Sequence, residues 1–331
     1  MAPSAGIIGL GHAVPTHVMT NHDFVDMGLD TSDEWIQERT GIVERHIVDD
    51  DTKSSDLALE AARKAIESAG IHQDDIDMII VATATPDYPG FPSTACVLQR
   101  KLGISNRSIP AFDIAAACSG FNYGITTAEQ YIASGHSHNI LVVGVDCLSQ
   151  IIDWDDRSTC VLFGDGAGAV IISKVENGLG FQYSKLHANG ALEDSLKVCH
   201  QSKDHPKNTK KQGAPYIEMN GKGVFKAAID VVVPTIKEAL SACQLTQDDI
   251  DWVILHQANK RIMNAIKDRI QFPDEKVYVN VDRFGNTSAA SIPIALAEIE
   301  EAGKFKKGDR IMCLGFGAGF TWGVTVMTWS K

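Results

Sequence analysis

Apolar residues in this chain fall into short unbroken runs, separated by stretches in which they recur every third or fourth position. Runs such as Met78-Ile79-Ile80-Val81, Ile140-Leu141-Val142-Val143, Ala169-Val170-Ile171-Ile172 and Val253-Ile254-Leu255 have the length and β-branched content of strands buried on both faces. Residues 57–69 and 224–243, and the series Phe121, Ile125, Ala128 and Ile132, carry helical spacing. Pro234 interrupts the second of these helices and is expected to kink it. Alternation of the two patterns predicts an α/β architecture in which helices cover a largely buried sheet.

The pattern also repeats. Gln73-Asp74-Asp75-Ile76-Asp77-Met78-Ile79-Ile80 returns 174 positions later as Gln247-Asp248-Asp249-Ile250-Asp251-Trp252-Val253-Ile254. Each copy follows a predicted helix and enters a predicted strand. Each half then adds an apolar run (111–114; 277–281), a helix and another run (140–145; 310–314). Two similar α/β halves, 1–175 and 176–331, are therefore expected to pack together, with the polar turn Lys174-Val175-Glu176-Asn177-Gly178 at their boundary. The stretch 199–215 carries Lys203, Lys207, Lys210 and Lys211 and reads as a solvated loop.

A chain of 331 residues with 44% hydrophobic content has room for about two domains with sizeable cores. Its formal net charge of −12 argues against a general binder of nucleic acid or anionic membrane, since both surfaces would repel it. Seven scattered cysteines with no Cys-x-x-Cys pair suggest neither a disulfide framework nor a zinc site, and a reducing cytoplasm is expected. The start lacks a basic segment, and no apolar run approaches the ~18 residues of a membrane span.

Candidate chemistry begins at Cys118, where the run Phe112-Asp113-Ile114-Ala115-Ala116-Ala117 breaks into a helix. A helix opening near Ser119 would aim its positive dipole end at the sulfur and favour a thiolate nucleophile. His256 falls opposite Ala82 in the repeat, at the end of a predicted strand where α/β folds line their crevices. Asn286 precedes a predicted helix start, and Leu314-Gly315-Phe316-Gly317-Ala318-Gly319-Phe320 is a glycine-rich turn able to bring backbone N–H donors to a ligand. It has neither a P-loop nor a dinucleotide-binding pattern. A thiol, an imidazole, a carboxamide and a donor turn together suit acyl transfer, with decarboxylation assisted by hydrogen bonds to a second carbonyl oxygen.

These residues resemble the β-ketoacyl-[acyl-carrier-protein] synthase III family of the thiolase-like fold. The resemblance spans nearly the whole chain. It rests on Thr31-Ser32-Asp33-Glu34-Trp35-Ile36 with Arg39-Thr40-Gly41-Ile42, on Ala115-Ala116-Ala117-Cys118, and on Phe163-Gly164-Asp165-Gly166-Ala167-Gly168-Ala169. It rests also on His256-Gln257-Ala258-Asn259, Gly285-Asn286-Thr287-Ser288-Ala289-Ala290-Ser291 and Gly315-Phe316-Gly317-Ala318-Gly319.

The resemblance implies two duplicated halves in a five-layer α-β-α-β-α sandwich and a Cys118, His256, Asn286 triad. Its implied reaction is a decarboxylating condensation of a short acyl-CoA, such as acetyl-CoA, with malonyl-acyl carrier protein, using no cofactor or metal. Backbone N–H groups of Cys118 and Ala318 would hold the oxyanion, with Gly317 taking over if Ala318 were strained. Many members have glycine at the Ala318 position. Trp35 and Arg157 would sandwich the CoA adenine near Thr31 and Arg39, while Asn259, Gly221 and Lys222 would line the pantetheine channel. Lys222 stands where asparagine is familiar.

Because acyl carrier protein is acidic, an enzyme of charge −12 needs a local basic patch. Gln257, Ala258, Asn259, Lys260, Arg261 and Lys226 are the expected docking residues, with Lys267 and Arg269 nearby in sequence. Phe91 matches the residue that reaches across the family's dimer interface and limits primer length, implying a homodimer. Rival readings are weaker. A papain-like hydrolase lacks its Cys-Gly-Ser-Cys-Trp signature here, and a thiolase would need a second cysteine where Phe316 stands. Related synthases using branched, polyketide or quinolone starters keep much of the same pattern and remain the alternative.

Overall fold

A computed structural model describes residues 4–199 and 216–331. The lysine-bearing stretch 199–215 lies outside the described residues except for Cys199, which ends the strand Leu196–Cys199.

Two mixed sheets carry the architecture. The first contains β1 (Ala5–Ala13), β2 (Met78–Ala82), β3 (Ala111–Ile114), β4 (Asn139–Cys147) and β5 (Asp165–Lys174), in the order β1-β5-β4-β2-β3. The second contains β6 (Gly180–Ala188), β7 (Trp252–Leu255), β8 (Arg310–Gly317) and β9 (Thr321–Thr328), in the order β6-β9-β8-β7. Directions repeat as well. β2 runs parallel to β3 and β4, and β7 runs parallel to β8, while the remaining neighbours are antiparallel. Strand membership changes sheet between Lys174 and Gly180.

Five helices complete the layers: α1 (Ser54–Ala69), α2 (Gly120–Ala133), α3 (Gly221–Cys243), α4 (Lys260–Ile270) and α5 (Ser291–Glu301). α1 covers the outer face of the first sheet, α2 and α5 fill the space between the sheets, and α3 with α4 covers the outer face of the second. This is the five-layer α-β-α-β-α sandwich of the thiolase-like fold.

Burial on both faces explains the unbroken apolar runs. Met78 and Ile80 point into the central layer with Phe121 and Ile125, while Ile79 and Val81 face α1. In the second sheet Ile311 and Cys313 point inward, and Met312 and Leu314 point toward α3 and α4. Each fully buried aliphatic side chain of this kind contributes roughly 1.5–3 kcal/mol, so a one-residue slip would disrupt two cores at once.

One expectation is corrected. Residues 277–281 do not form a strand. Val277 makes one parallel bridge to Val253, after which Val281–Phe284 turns helical. The Asn280 N–H donates to the Gln257 side chain (3.0 Å) instead of to a neighbouring strand, which ends the pairing. Pro234 lies inside α3, which spans Gly221 to Cys243.

Candidate active site

β3 leads into a tight turn, Ala117–Ser119, that carries Cys118 before α2 begins at Gly120. Ala117 holds φ at +44°, an uncommon value for a residue with a Cβ, and this turns Cys118 toward the second half of the molecule. The turn abuts the C-terminal end of β8. A Cβ placed on Gly317 would lie 2.7 Å from the Cys118 nitrogen and 2.9 Å from its Cβ, so only glycine permits this approach. Thr321 Oγ1 lies 3.0 Å from the carbonyls of both Ala116 and Ala318 and 2.8 Å from Ser119 Oγ, tying the nucleophile turn to the glycine-rich turn. Ala318 is not among the residues with positive φ, so its N–H is presented without strain.

His256 directly follows β7 and is buried. Its N–H donates to the Leu314 carbonyl (2.8 Å), and its ring packs edge-on against Phe316 at 5.2 Å. Nδ1 lies 2.7 Å from Ser291 Oγ. The Gln257 N–H donates to the same oxygen (3.4 Å), and in the tautomer in which the Ser291 hydroxyl donates to Nδ1 the ring proton stands on Nε2. Burial lowers the His256 pKa to about 3, so the ring is neutral.

Asn286 stands after Gly285, which adopts φ +64°, and is stitched to the first half through Asn286 N–H to Leu162 O (2.8 Å) and Gly164 N–H to Asn286 O (3.1 Å). Its Oδ1 accepts from the Ser288 N–H (2.9 Å), which leaves the Nδ2 amide end free to donate to a ligand. The following turn, Ser288–Ala290, contacts both the Cys118 turn and β4. The Cys118 turn thus meets both the end of β8, against which His256 is held, and the turn that follows Asn286.

Burial opposes the thiolate expected at Cys118. It is the largest influence and raises the pKa from 9.0 to about 12; interaction with the Ser288 hydroxyl lowers it, and the charge of Asp146 raises it.

Around the expected CoA site, Trp35 is half-buried on the helix Asp33–Thr40, with the Arg39 and Arg157 guanidinium groups 4.6 and 5.1 Å from its ring centroid. Arg157 also pairs with the Asp30 carboxylate at 3.0 Å. An adenine inserted between Trp35 and Arg157 would have to displace that guanidinium from the indole. Thr31 Oγ1 is buried without a hydrogen-bond partner. Gly221 and Lys222 open α3, both exposed, while Asn259 caps α4 by accepting from Ile262 N–H (2.9 Å).

The docking set divides. Lys226, Lys260 and Arg261 are exposed at the start of α3 and α4. Gln257 and Ala258 are corrected: they are buried, and the Gln257 amide is committed to Leu255 O, Tyr278 O and Asn280 N–H, so neither can present a side chain to a protein. Lys267 is paired with Asp274 and Asp268. Phe91 is 89% exposed and therefore lines no cavity of its own chain.

Ser291, Ser288, Asp146 and Thr321 were given no role by sequence reasoning. Asp146 left the clearest trace, as an acid closing an apolar strand.

Comparison with known proteins agrees with this architecture. The family model for 3-oxoacyl-[acyl-carrier-protein] synthase III matches residues 112–190, and that for the C-terminal part of the same enzymes matches residues 240–329. A beta-ketoacyl-[acyl-carrier-protein] synthase III from Caldanaerobacter subterraneus is 48% identical over 330 residues, covering 99% of this chain and 98% of the relative. Its counterpart from Geobacillus kaustophilus is 49% identical over 327 residues, covering 99% of each. The crystal structure of 3-oxoacyl-[acyl-carrier-protein] synthase III from Aquifex aeolicus superposes with a TM-score of 0.89 at 43% identity, covering 98% of this chain and 100% of that one. With matches of this identity running the length of both partners, the chain belongs to the 3-oxoacyl-[acyl-carrier-protein] synthase III family of condensing acyltransferases.

Proposed function

We propose that the protein takes a short acyl group from a CoA thioester onto Cys118 and condenses it with malonyl-acyl carrier protein, releasing carbon dioxide and forming 3-oxoacyl-acyl carrier protein. This is the initiating condensation of fatty acid synthesis. Acetyl-CoA is the expected primer, and no cofactor or metal takes part. What supports the reading is the contact of the Cys118 turn with the end of β8, beside His256, and with the turn that follows Asn286, where His256 and Asn286 are each held by a hydrogen bond.

In the first half-reaction the Cys118 sulfur attacks the thioester carbonyl, and the Cys118 and Ala318 N–H groups stabilise the developing oxyanion. CoA leaves. In the second, His256 Nε2–H and the Asn286 amide donate to the malonyl thioester oxygen, where negative charge gathers as carbon dioxide departs. A neutral imidazole suits this task, because it donates a hydrogen bond without surrendering its proton. The resulting carbanion attacks the acyl-cysteine.

Trp35, Arg39, Thr31 and a displaced Arg157 would hold the nucleotide end of CoA, with Asn259, Gly221 and Lys222 along the pantetheine path. Lys226, Lys260 and Arg261 would receive the acidic carrier protein, and Phe91 would enter the pocket of a second copy in a homodimer. The free cysteines are compatible with a reducing cytoplasm.

Half-reaction assays with a panel of acyl-CoA primers test the reading. His256→Ala and Asn286→Ala should each lower malonyl decarboxylation on the order of 10²–10³-fold while acyl loading persists. Equal loss of both half-reactions would contradict the assigned roles, and loading only by long or branched primers would move the enzyme to a specialised branch.

A further inference from the structure

Two N–H donors serve one oxyanion only if the gap between them is fixed, and the Cys118 and Ala318 donors come from separate turns, one before α2 and the other after β8. We infer that Thr321 is the positioning residue that sets this gap, its hydroxyl clamping the Cys118 turn to the glycine-rich turn with the help of Ser119. The inference rests on the proposed oxyanion roles of those two N–H groups and adds what holds them together.

Thr321 opens β9, where it stands opposite Gly317 on β8 and Ala188 on β6. The tip between β8 and β9 is pinned as well, since the Asn189 N–H donates to the Phe320 carbonyl (2.8 Å) and the Phe320 N–H to the Asn189 carbonyl (3.1 Å). Gly319 leaves room for the threonine methyl group: a Cβ there would lie 2.9 Å from Thr321 Cγ2. With Cγ2 on that side, Oγ1 reaches the Cys118 turn.

Ser119 is fully buried, and its hydroxyl donates to Thr321 Oγ1 (2.8 Å) while lying 2.9 Å from the Ala116 carbonyl. Thr321 Oγ1 is in turn 3.0 Å from the Ala116 carbonyl and 3.0 Å from the Ala318 carbonyl, the equal distances of a three-centre bond. The hydroxyl therefore holds the start of the nucleophile turn with one contact and the residue bearing the second donor with the other. The Ala116 carbonyl also accepts from the Ser119 N–H (3.2 Å), which closes the turn around Ala117, whose φ of +44° persists only with such support.

An oxyanion hole works by preorganisation, because donors already in place need no realignment as charge develops. Loosening the clamp lets one donor drift from the other. Decarboxylation gathers its charge elsewhere, on the oxygen that His256 and Asn286 meet in the proposed reaction. The clamp should therefore matter to acyl transfer and not to decarboxylation.

The test measures acyl loading over a range of acetyl-CoA concentrations, and malonyl decarboxylation beside it, in the wild type, Thr321→Val, Thr321→Ser, Gly317→Ala and Cys118→Ala. Valine keeps the shape of threonine and removes the hydroxyl, whereas serine keeps the hydroxyl and removes the methyl group. At saturation Thr321→Val should load at least about 10-fold more slowly, short of the roughly 10²–10³-fold that follows loss of a whole donor. Its half-saturating acetyl-CoA concentration and its decarboxylation rate should stay within about twofold of wild type, the mark of an interaction made only in the transition state of loading. Normal decarboxylation also shows that the variant is folded. Thr321→Ser should restore loading. If threonine merely fills space beside Gly319, serine should be the impaired variant and valine the normal one, and that pattern would overturn the inference. Equal loss of both half-reactions in Thr321→Val, or a raised half-saturating concentration with an unchanged saturated rate, would overturn it too. Normal loading of Gly317→Ala would instead overturn the donor assignment on which the clamp depends, and undiminished loading of Cys118→Ala the nucleophile itself.

Discussion

At the scale of single residues, burial is the influence that decides how the titratable side chains of the site behave. It disfavours the charged form of both Cys118 and His256. For His256 the consequence reaches stability. The unfolded chain binds a proton at this residue below about pH 6.5 while the folded chain does not until about pH 3, so stability falls as pH drops through that window. His256→Asn should lose less stability than the wild type between pH 6.5 and 5, by about 2 kcal/mol, read from urea midpoints. An identical pH dependence would show that the ring is not buried neutral. The thiol at 118 and the imidazole at 256 attract notice in the sequence because each follows a predicted strand, and the carboxamide at 286 because it precedes a predicted helix start. The ionisation of the first two was not legible, because a dipole can be read from a helix start whereas desolvation depends on elements far away in sequence.

Among elements, those with strong periodicity were read correctly, and the failure at 277–281 has a cause outside the segment. The run 277–281 looks like β3 of the first half, yet its Asn280 N–H is captured by Gln257, a side chain on another segment. The same contact removed Gln257 from the docking surface. The glycine-rich turn after β8 was legible as a close-approach element, although its neighbour was not. That neighbour is the Cys118 backbone, and the distance is testable. Gly317→Ala would force a methyl group to within 2.7 Å of the Cys118 nitrogen and shift the N–H groups of Cys118 and Ala318 proposed to meet the oxyanion. Acyl loading should drop on the order of 10²-fold, the effect of misplacing reacting groups by about 1 Å. Gly190→Ala, where a Cβ would meet nothing within 4 Å, should load normally. Equal activity in the two variants would remove Gly317 from the account.

For the whole molecule, duplication supplies two similar scaffolds, and divergence assigns them different work. In the proposed reaction one half contributes the thiol and the other the imidazole and carboxamide, which would confine the chemistry to the seam that only the packed pair creates. The 174-residue echo made the duplication legible, whereas the seam required the fold. Charge acts at the same scale. A protein of net −12 can receive an acidic carrier only through a local exception, and Lys226, Lys260 and Arg261 provide exposed positive charge there. Arg261→Glu should raise KM for malonyl-acyl carrier protein about tenfold or more while leaving malonyl-CoA use little changed. An equal effect on both would exclude this face. The central claim is most directly tested by intact-protein and peptide mass spectrometry after incubation with acetyl-CoA. One acetyl group should appear on the peptide containing Cys118 and be absent from Cys118→Ala, whereas acetylation elsewhere, or none with any acyl-CoA, would contradict the account.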